Sequence, residues 1–392
     1  MKILLNFLPL KSGGGVQVGL DFLHQLAQFG TQHEWFLVAS EGTPFVTMAQ
    51  SDILRMAAVV PRNTAHRLLF EYSQCRQLVQ SLKPDVIYTQ FGPQWPGAAR
   101  ELNVVGCAYS NLLYPEVPFW ERLPFKQRVL REIVDAFRKR RLRQADFAIF
   151  ETRDLAERCV RLGIKPQDKV ATVMPSASSL VSPGQSHDSV RARAERMPIG
   201  FRILLLSVFN PNKNIDFLND IALELNKRHG NLAVKFIITL PEKSSETEKI
   251  MDRARSLGVE DMLFNIGPIP HEGCAELYSH SDSVILPAQL ESFSNSIGEA
   301  WKMGLPLIIS DMPWARSICG EAACYIKYRD REDAAQAIIK LVTSDDYRRA
   351  LVRAGHSRLD ELPSPKNRFL AYLNILEDQV RRRENSGPVR CI

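Results

Sequence analysis

The chain has 392 residues, which is too long for one typical domain and comfortable for two. Its contents of 45% apolar and 24% charged residues are ordinary for a soluble globular protein, and no apolar run approaches the ~18–20 residues of a membrane span. The net charge of +6 suits phosphate-rich substrates or an anionic membrane face, but no basic-aromatic module accompanies it, so nucleic acid is not an expected partner.

Cysteine and metal-ligand patterns point to a cytoplasmic protein without a metal centre. The seven cysteines are scattered and form no C-x-x-C pair, which predicts reduced thiols. There is no D-x-D and no His/Cys cluster at metal spacing, so we expect neither a metal nor a cofactor. Residues 1–10 resemble a short signal region, but no small-residue cleavage site follows and a first β-strand is predicted instead.

The chain opens with a predicted strand, a glycine loop and a helix. The strand covers residues 2–9 and the loop residues 11–15, and apolar residues then recur at i, i+4, i+7 and i+11 from Val16. This order predicts the first βα unit of a doubly wound sheet. Gly14 and Gly15 would let a phosphate or sugar approach the backbone, although a tight turn that needs positive φ is the alternative.

Short apolar runs then alternate with helical stretches as far as residue 175, which predicts a parallel sheet with right-handed crossovers. The predicted strands are residues 35–39, 85–89, 104–109, 145–151 and 170–175, and the predicted helices are residues 67–82 and 125–143.

The segment from 110 to 125 is rich in aromatic residues and proline. It is too apolar for an idle surface loop, so we predict an acceptor-side lip that includes Tyr109, Asn111 and Trp120. Packing against neighbouring helices explains the same composition equally well.

The helix over residues 125–143 ends in FRKRRLR. Its five cations from Arg138 to Arg143, together with Tyr114, Phe119 and Trp120, suit an anionic membrane surface, where each surface cation adds ~1 kcal/mol of attraction. A solvated helix with cations near its C-terminus is the alternative.

Composition also predicts the domain boundaries. Residues 179–198 are rich in Ser, Pro and charge and are predicted to be a linker. The first domain is then 1–178, the second is 199–364, and 365–392 is a C-terminal helix. In the second domain the predicted strands are residues 202–208, 233–240, 262–266, 283–288, 305–309 and 324–328, and the predicted helices are residues 215–229, 246–257, 275–281, 331–342 and 347–354.

The stretch from 283 to 311 reads as strand, loop, helix and strand. Glu291 falls on the loop and Glu299 about two turns into the helix. The amides of Ser294, Asn295 and Ser296 would point out of the helix N-terminus towards an anion such as a phosphate.

This context resembles the E-x7-E signature of retaining nucleotide-sugar glycosyltransferases of family 4, the "group 1" glycosyltransferases. The resemblance implies an α/β fold of the GT-B architecture, in which two Rossmann-like doubly wound domains face a cleft and the C-terminal helix crosses back to the first domain. It also implies a donor on the second domain, an acceptor on the first, and no metal requirement. Glu291 would hold donor-sugar hydroxyls, Glu299 the nucleotide ribose, and Gly14 and Gly15 would be the family's glycine loop.

Two features depart from the family pattern. The family's loop after the first strand of the second domain carries an Arg and, five residues on, a Lys; here Lys213 fits the Lys position and Val208 stands at the Arg position. Lys213 can supply a point charge to a diphosphate. The family's N-terminal histidine also has no counterpart near residues 89–93 or 109–111.

The function implied is a retaining, metal-independent glycosyltransferase. It would move a sugar from a nucleotide-diphosphate donor to a saccharide acceptor, lipid-linked, in cell-surface polysaccharide assembly (lipopolysaccharide, O-antigen or capsule). The enzyme would be cytoplasmic and peripheral on the inner face of the membrane. A nucleotide-sugar epimerase and a non-catalytic glycan-binding protein on the same fold are the alternatives, and titration against a panel of nucleotide sugars separates the three.

Overall fold

The computed structural model describes residues 1–11, 13–49, 53–178 and 180–385. The chain divides into two compact units. The first unit comprises Met1–Ser176 and Pro363–Ile392, and the second comprises Ala177–Leu362. Each unit is an α/β domain built on one parallel sheet, as the alternation of apolar runs and helices predicts.

The first unit contains a seven-stranded parallel sheet in the order β3-β2-β1-β4-β5-β6-β7. Its strands are β1 (Lys2–Asn6), β2 (Glu34–Ser40), β3 (Leu54–Val60), β4 (Val86–Thr89), β5 (Asn103–Cys107), β6 (Phe147–Phe150) and β7 (Val170–Thr172). The chain builds one side of the sheet through β2 and β3, and then returns to add β4 on the other side of β1. The carboxyl ends of β1 and β4 therefore form the topological switch point, where such sheets usually bind ligands.

The second unit repeats this plan with six parallel strands in the order β10-β9-β8-β11-β12-β13. Its strands are β8 (Phe201–Leu205), β9 (Val234–Ile238), β10 (Leu263–Asn265), β11 (Ser283–Leu286), β12 (Leu307–Ser310) and β13 (Cys324–Ile326). Here the strand order reverses between β8 and β11, so the switch point lies at the loops that follow these two strands.

Helices cover both sheets. The α-helices are α1 (Gly14–Phe29), α2 (Phe45–Met48), α3 (Thr64–Leu69), α4 (Cys75–Leu82), α5 (Phe125–Gln144), α6 (Arg153–Arg161), α7 (Asp188–Ala194), α8 (Phe217–His229), α9 (Ser245–Ser256), α10 (Cys274–Ser279), α11 (Asn295–Lys302), α12 (Pro313–Cys319), α13 (Arg331–Thr343), α14 (Asp345–Asp360) and α15 (Pro365–Asn385). A π-helical turn, Phe70–Gln74, joins α3 to α4, so the helix predicted over 67–82 is interrupted.

The C-terminal helix α15 belongs to the first unit, which confirms that it crosses back onto the first domain. Phe22 of α1 contacts two rings of α15, with its ring centroid 5.1 Å from that of Phe369 and 6.0 Å from that of Tyr372. His33 and Glu377 add a contact of 2.9 Å between ring Nε2 and carboxylate Oε1. Burial of these aromatic rings is the main source of the stability of this contact.

The structure differs from the predicted linker over 179–198. Ser179 lies outside the described residues, but α7 forms within this segment and belongs to the second unit. Val190 and Ala194 of α7 are fully buried, and Arg191 pairs with Glu276 at 3.2 Å. The composition did not predict this helix because it contains few apolar positions. Tertiary packing, and not local helix propensity, stabilises it.

Close packing holds α11 in place against α14. Trp301 of α11 donates its indole N–H to the carbonyl of Ala322 at 3.2 Å. A Cβ on Gly355 would lie only 2.6 Å from Trp301 Cδ1, so glycine is required where α14 passes this ring. Because Trp301 lies near the C-terminal end of α11, these contacts fix the end of the helix that is opposite its N-terminus.

Among the described residues, no helix combines the length and apolar character needed to cross a bilayer. The six described cysteines are free thiols and all are buried. Burial raises the pKa of Cys107 and Cys319 to about 12, so both stay protonated at neutral pH.

Candidate active site

Lys213 and Glu291 meet at the switch point of the second unit. Lys213 lies on the loop after β8 and Glu291 on the loop after β11. The Lys213 Nζ is 2.7 Å from Glu291 Oε1, and the two side chains are 20% and 16% exposed. The pair is therefore open enough for a ligand to reach and shielded enough for its charges to act strongly.

Asparagines hold the two loops in register. The Asn212 amide donates to the carbonyl of Leu290 at 2.6 Å and to Glu291 Oε1 at 3.2 Å, while its side-chain oxygen accepts from the Leu290 N–H at 3.0 Å. Asn214 has a φ of 49° and donates to the carbonyl of Pro287 at 2.9 Å. Glu291 is thus positioned by Asn212 as well as by Lys213.

Sequence reasoning named neither asparagine as part of the site. Asparagine adopts left-handed backbone and bonds to neighbouring main chain more readily than most residues. The Asn-rich run 210–214 therefore carried the information that this loop is structured.

Helix α11 begins directly after this loop. Ser294 is its N-cap residue but makes no side-chain cap bond, and Asn295 and Ser296 form its first turn. Ser294 is buried, while Asn295 and Ser296 are half-buried. The first amides of a helix have no carbonyl partner within it and carry the positive end of the helix dipole, so they favour an anion.

Glu299 lies in the second turn of the same helix. Its side chain is buried, and its Oε2 accepts a hydrogen bond of 2.7 Å from the Tyr278 hydroxyl of α10. Burial, and next the charge of Glu299, raise the pKa of Tyr278 well above its usual range, so the phenol remains a donor. The sequence did not single out Tyr278, because its contact joins residues 21 positions apart.

The loop after β10 is fixed by an arginine from α7. Arg193 donates to the carbonyls of Ile266, Gly267 and Pro268, with the Gly267 contact at 3.1 Å. The segment predicted to be a linker therefore shapes the loop after β10.

The structure assigns Gly14 and Gly15 to a helix rather than to a loop. Both lie in the first turn of α1, and Gly13 is the N-cap residue with a φ of 62°. Within the predicted loop, Ser12 lies outside the described residues. Because Gly13 alone of these glycines has positive φ, the turn requirement falls there, while Gly14 and Gly15 present helix N-terminal amides in the first unit.

The three acceptor-side candidates converge on Asp135 and Arg138 of α5. Asp135 Oδ2 accepts from the Asn111 side-chain amide and from the Trp120 indole N–H, both at 2.6 Å. Arg138 donates to Asp135 Oδ1 at 3.0 Å and lies over the Tyr109 ring, 4.4 Å from its centroid. These contacts fasten the aromatic segment to α5, which is the packing role that composition left open.

Three positions from the sequence analysis have environments that were not expected. Tyr114, predicted to face a membrane, is 1% exposed and donates to Asp154 at 2.6 Å, because its ring packs inside the unit. Val208, at the position of the family's arginine, is 60% exposed on the loop after β8. At the end of β4, where the family resemblance implies a histidine, Gln90 is buried and accepts from the Tyr88 hydroxyl at 2.5 Å.

Across the described part of the chain, no group of three or more His, Cys, Asp or Glu side chains has the geometry to hold a metal ion. Near the switch point of the second unit, Lys213 carries a positive charge and the α11 N-terminus carries the positive end of the helix dipole.

Comparison with known proteins identifies the family over most of the chain. Residues 12–175 match the model described as Glycosyltransferase Family 4, and residues 195–358 match the model described as Glycosyl transferases group 1. Among curated proteins, the chain is 26% identical to the D-inositol 3-phosphate glycosyltransferase of Nocardia farcinica over 202 residues, covering 50% of this chain and 44% of that protein. The chain spans about half the length of the curated relatives it matches.

Solved structures agree on the fold. The chain superposes on the HepE protein of Anabaena, solved with UDP and glucose, with a TM-score of 0.70 and 14% identity, covering 96% of this chain and 100% of that one. It superposes on WaaG, a glycosyltransferase involved in lipopolysaccharide biosynthesis, with a TM-score of 0.69 and 15% identity, covering 96% and 99%. With the two sheets, their switch points and the two family models in agreement, the chain belongs to the group 1 glycosyltransferases of family 4 and has the GT-B fold.

Proposed function

We propose that this glycosyltransferase is retaining and metal-independent, and that it moves a sugar from a nucleoside diphosphate donor to a lipid-linked saccharide in cell-surface polysaccharide assembly. The observation that carries the proposal is the Lys213–Glu291 pair at the switch point of the second unit, immediately before the N-terminus of α11. It puts a cation, a carboxylate and helix amides at one sheet edge.

Each of these groups suits a part of the donor. The leaving group is a diphosphate with dispersed negative charge, which Lys213 and the α11 amides would stabilise. Glu291 would accept hydrogen bonds from adjacent sugar hydroxyls, because a carboxylate has several acceptor sites. When the donor binds, the diphosphate replaces Glu291 as the partner of Lys213, and the carboxylate becomes available to the sugar.

The transfer itself follows from retention. The bond from the anomeric carbon to the phosphate oxygen breaks, and a bond to the acceptor oxygen forms on the same face of the ring. The leaving phosphate takes the proton of the acceptor hydroxyl. Determining the anomeric configuration of the product by NMR tests this step, since an inverted product would exclude it.

Glu299 has a different part in the proposal. The resemblance gives it the nucleotide ribose, and its burial beside Tyr278 adds a requirement: the carboxylate must be positioned from inside the protein. HepE was solved with UDP, so UDP is the first nucleotide to test.

The metal-independent part of the proposal rests on the cationic groups at the site. If Lys213 and helix amides stabilise the diphosphate, transfer should persist in excess EDTA. Loss of activity in EDTA that Mg²⁺ or Mn²⁺ restores would contradict it.

The lipid-linked acceptor is supported by the positive surface of the first unit, and the WaaG structure is that of an enzyme involved in lipopolysaccharide biosynthesis. Comparing turnover with a free oligosaccharide and with the same oligosaccharide on a polyprenyl diphosphate tests this part. A clear preference for the free sugar would contradict it.

A further inference from the structure

Helix α5 leaves most of its surface in water. Leu142 is the one buried residue of its twenty. Five of its apolar side chains are among the large exposed hydrophobic residues of the described chain: Phe125 (79%), Val129 (38%), Leu130 (61%), Ile133 (62%) and Phe137 (38%). We call these five residues the α5 stripe. An exposed apolar group of this size on a helix indicates a binding surface.

The α5 stripe follows helical periodicity. Phe125, Val129, Ile133 and Phe137 recur at every fourth residue, and Leu130 lies beside them. At about 100° per residue, the stripe is centred on the side of the helix opposite Leu142. Since the Leu142 side carries the contacts of α5 with the first unit, the stripe faces away from the body of that unit.

Helix α5 is also strongly basic. Its sequence contains eight basic residues and two acidic ones, a net charge of +6, which equals the net charge of the whole chain. Lys126, Arg140 and Arg141 fall on the same side of the helix as the stripe, Lys126 in its first turn and the two arginines beyond Phe137. Apolar side chains combined with cations in this way are the pattern of helices that lie in an anionic membrane interface.

The apolar surface continues beyond α5. On α3 and the turn that follows, Leu68, Leu69 and Tyr72 are 48%, 52% and 46% exposed. The Arg141 guanidinium lies 4.9 Å from the Phe137 ring centroid and 5.9 Å from that of Tyr72. Arg141 thus bridges the two apolar surfaces, and a long cationic side chain there can extend to headgroups.

We propose that the α5 stripe inserts into the headgroup region of an anionic phospholipid bilayer while the cations beside it bind lipid phosphates. This inference rests on the proposed function, which includes a lipid-linked acceptor. It deepens that proposal by naming the membrane-binding surface. A second copy of the chain is a poor occupant, because it would bring two helices of net charge +6 together. Nucleic acid would use the cations but leave the apolar side chains without a partner.

The test is flotation of the purified full chain with vesicles that contain no sugar. Wild-type protein should float with vesicles of phosphatidylglycerol and phosphatidylcholine and not with phosphatidylcholine alone. The double variant Leu130→Ser, Ile133→Ser should partition at least about tenfold less into the anionic vesicles, because it loses two inserting side chains. Ile199→Ser is the matched control, since Ile199 is 90% exposed in the second unit and should be without effect.

A second pair of variants tests the electrostatic part. Replacing Lys126 and Arg140 by Gln should lower partitioning at low salt by about fivefold for each charge removed, and should flatten its salt dependence. The matched control replaces Lys243 and Lys249, both exposed in the second unit, and should keep the wild-type salt dependence.

Hydrogen exchange on the wild-type chain supplies a measurement that needs no variant. Amides of α5 should gain protection when anionic vesicles are added, whereas those of α9 should not. Unchanged α5 exchange in protein that floats, or wild-type flotation of the Leu130→Ser, Ile133→Ser variant, would overturn the proposal. Because the vesicles hold neither donor nor acceptor, these results are independent of whether the chain transfers sugar in the way proposed above.

Discussion

Replacing Lys213 by Met removes the cation of the site and keeps a side chain of similar length. At an effective dielectric constant of about 20, a unit charge about 4 Å from a phosphate charge contributes roughly 4 kcal/mol. Part of this is offset, because in the donor-free enzyme Lys213 already pairs with Glu291 at 2.7 Å, and solvent reaches both side chains. A net loss of about 2–3 kcal/mol remains, which corresponds to a roughly 30- to 150-fold lower kcat/KM.

Two assays measure this effect. Calorimetric titration with UDP gives the loss of nucleotide affinity, and initial rates of transfer give kcat/KM. Lys213→Arg should recover part of both because it keeps the charge, and Lys243→Met is the matched control on an exposed lysine of the same unit. If Lys213→Met bound UDP and turned over as the wild type does, the diphosphate assignment would be wrong.

Further predictions concern the two glutamates and one buried lysine. Glu291→Gln releases Lys213 from its carboxylate, so UDP affinity should stay equal or rise while kcat falls by about tenfold or more; a loss of UDP affinity would contradict the exchange of partners. Glu299→Gln should weaken UDP binding in calorimetric titration, and wild-type affinity would remove Glu299 from the nucleotide site. Tyr278→Phe should lower the free energy of unfolding by about 1–2 kcal/mol in denaturant titration, since a buried carboxylate loses a donor. Burial lowers the pKa of Lys165 to about 8. The unfolded chain therefore binds more protons than the folded chain between pH 8 and about 10.5, and this lysine makes unfolding less favourable as the pH rises through that window. The difference in the free energy of unfolding between wild type and Lys165→Met should shift in favour of the wild type by about 2 kcal/mol across it. A difference that does not vary with pH would show that Lys165 titrates normally.

Local sequence patterns predicted most strands of the two parallel sheets. Strands β1, β4, β8 and β11 are buried apolar runs next to loops, so their periodicity and flanking residues predict them. The edge strand β3 was missed, since most of its residues are partly exposed and no uniform apolar run marks it. Helix α6 was missed as well, because its buried positions are only Leu155, Ala156 and Cys159 among many charges.

The E-x7-E context likewise identified the family from consecutive residues. Glu291, the α11 N-terminus and Glu299 lie on one strand–loop–helix unit, so their order along the chain already determines which of them is on a loop and which on a helix. Lys213 was found by its place after a predicted strand. The local sequence did not determine which of these side chains contact one another.

Tertiary structure alone decided the contacts that give these residues their environments. Lys213 meets Glu291 because the strand order reverses between β8 and β11, which brings two distant loops to one sheet edge. Tyr278 meets Glu299, and Asp135 gathers Asn111 and Trp120, through pairings between segments that no periodicity links. The exposure of α5 is of the same kind: its sequence predicts a helix with a basic end, but only the packing of Leu142 within the first unit determines which face stays in water.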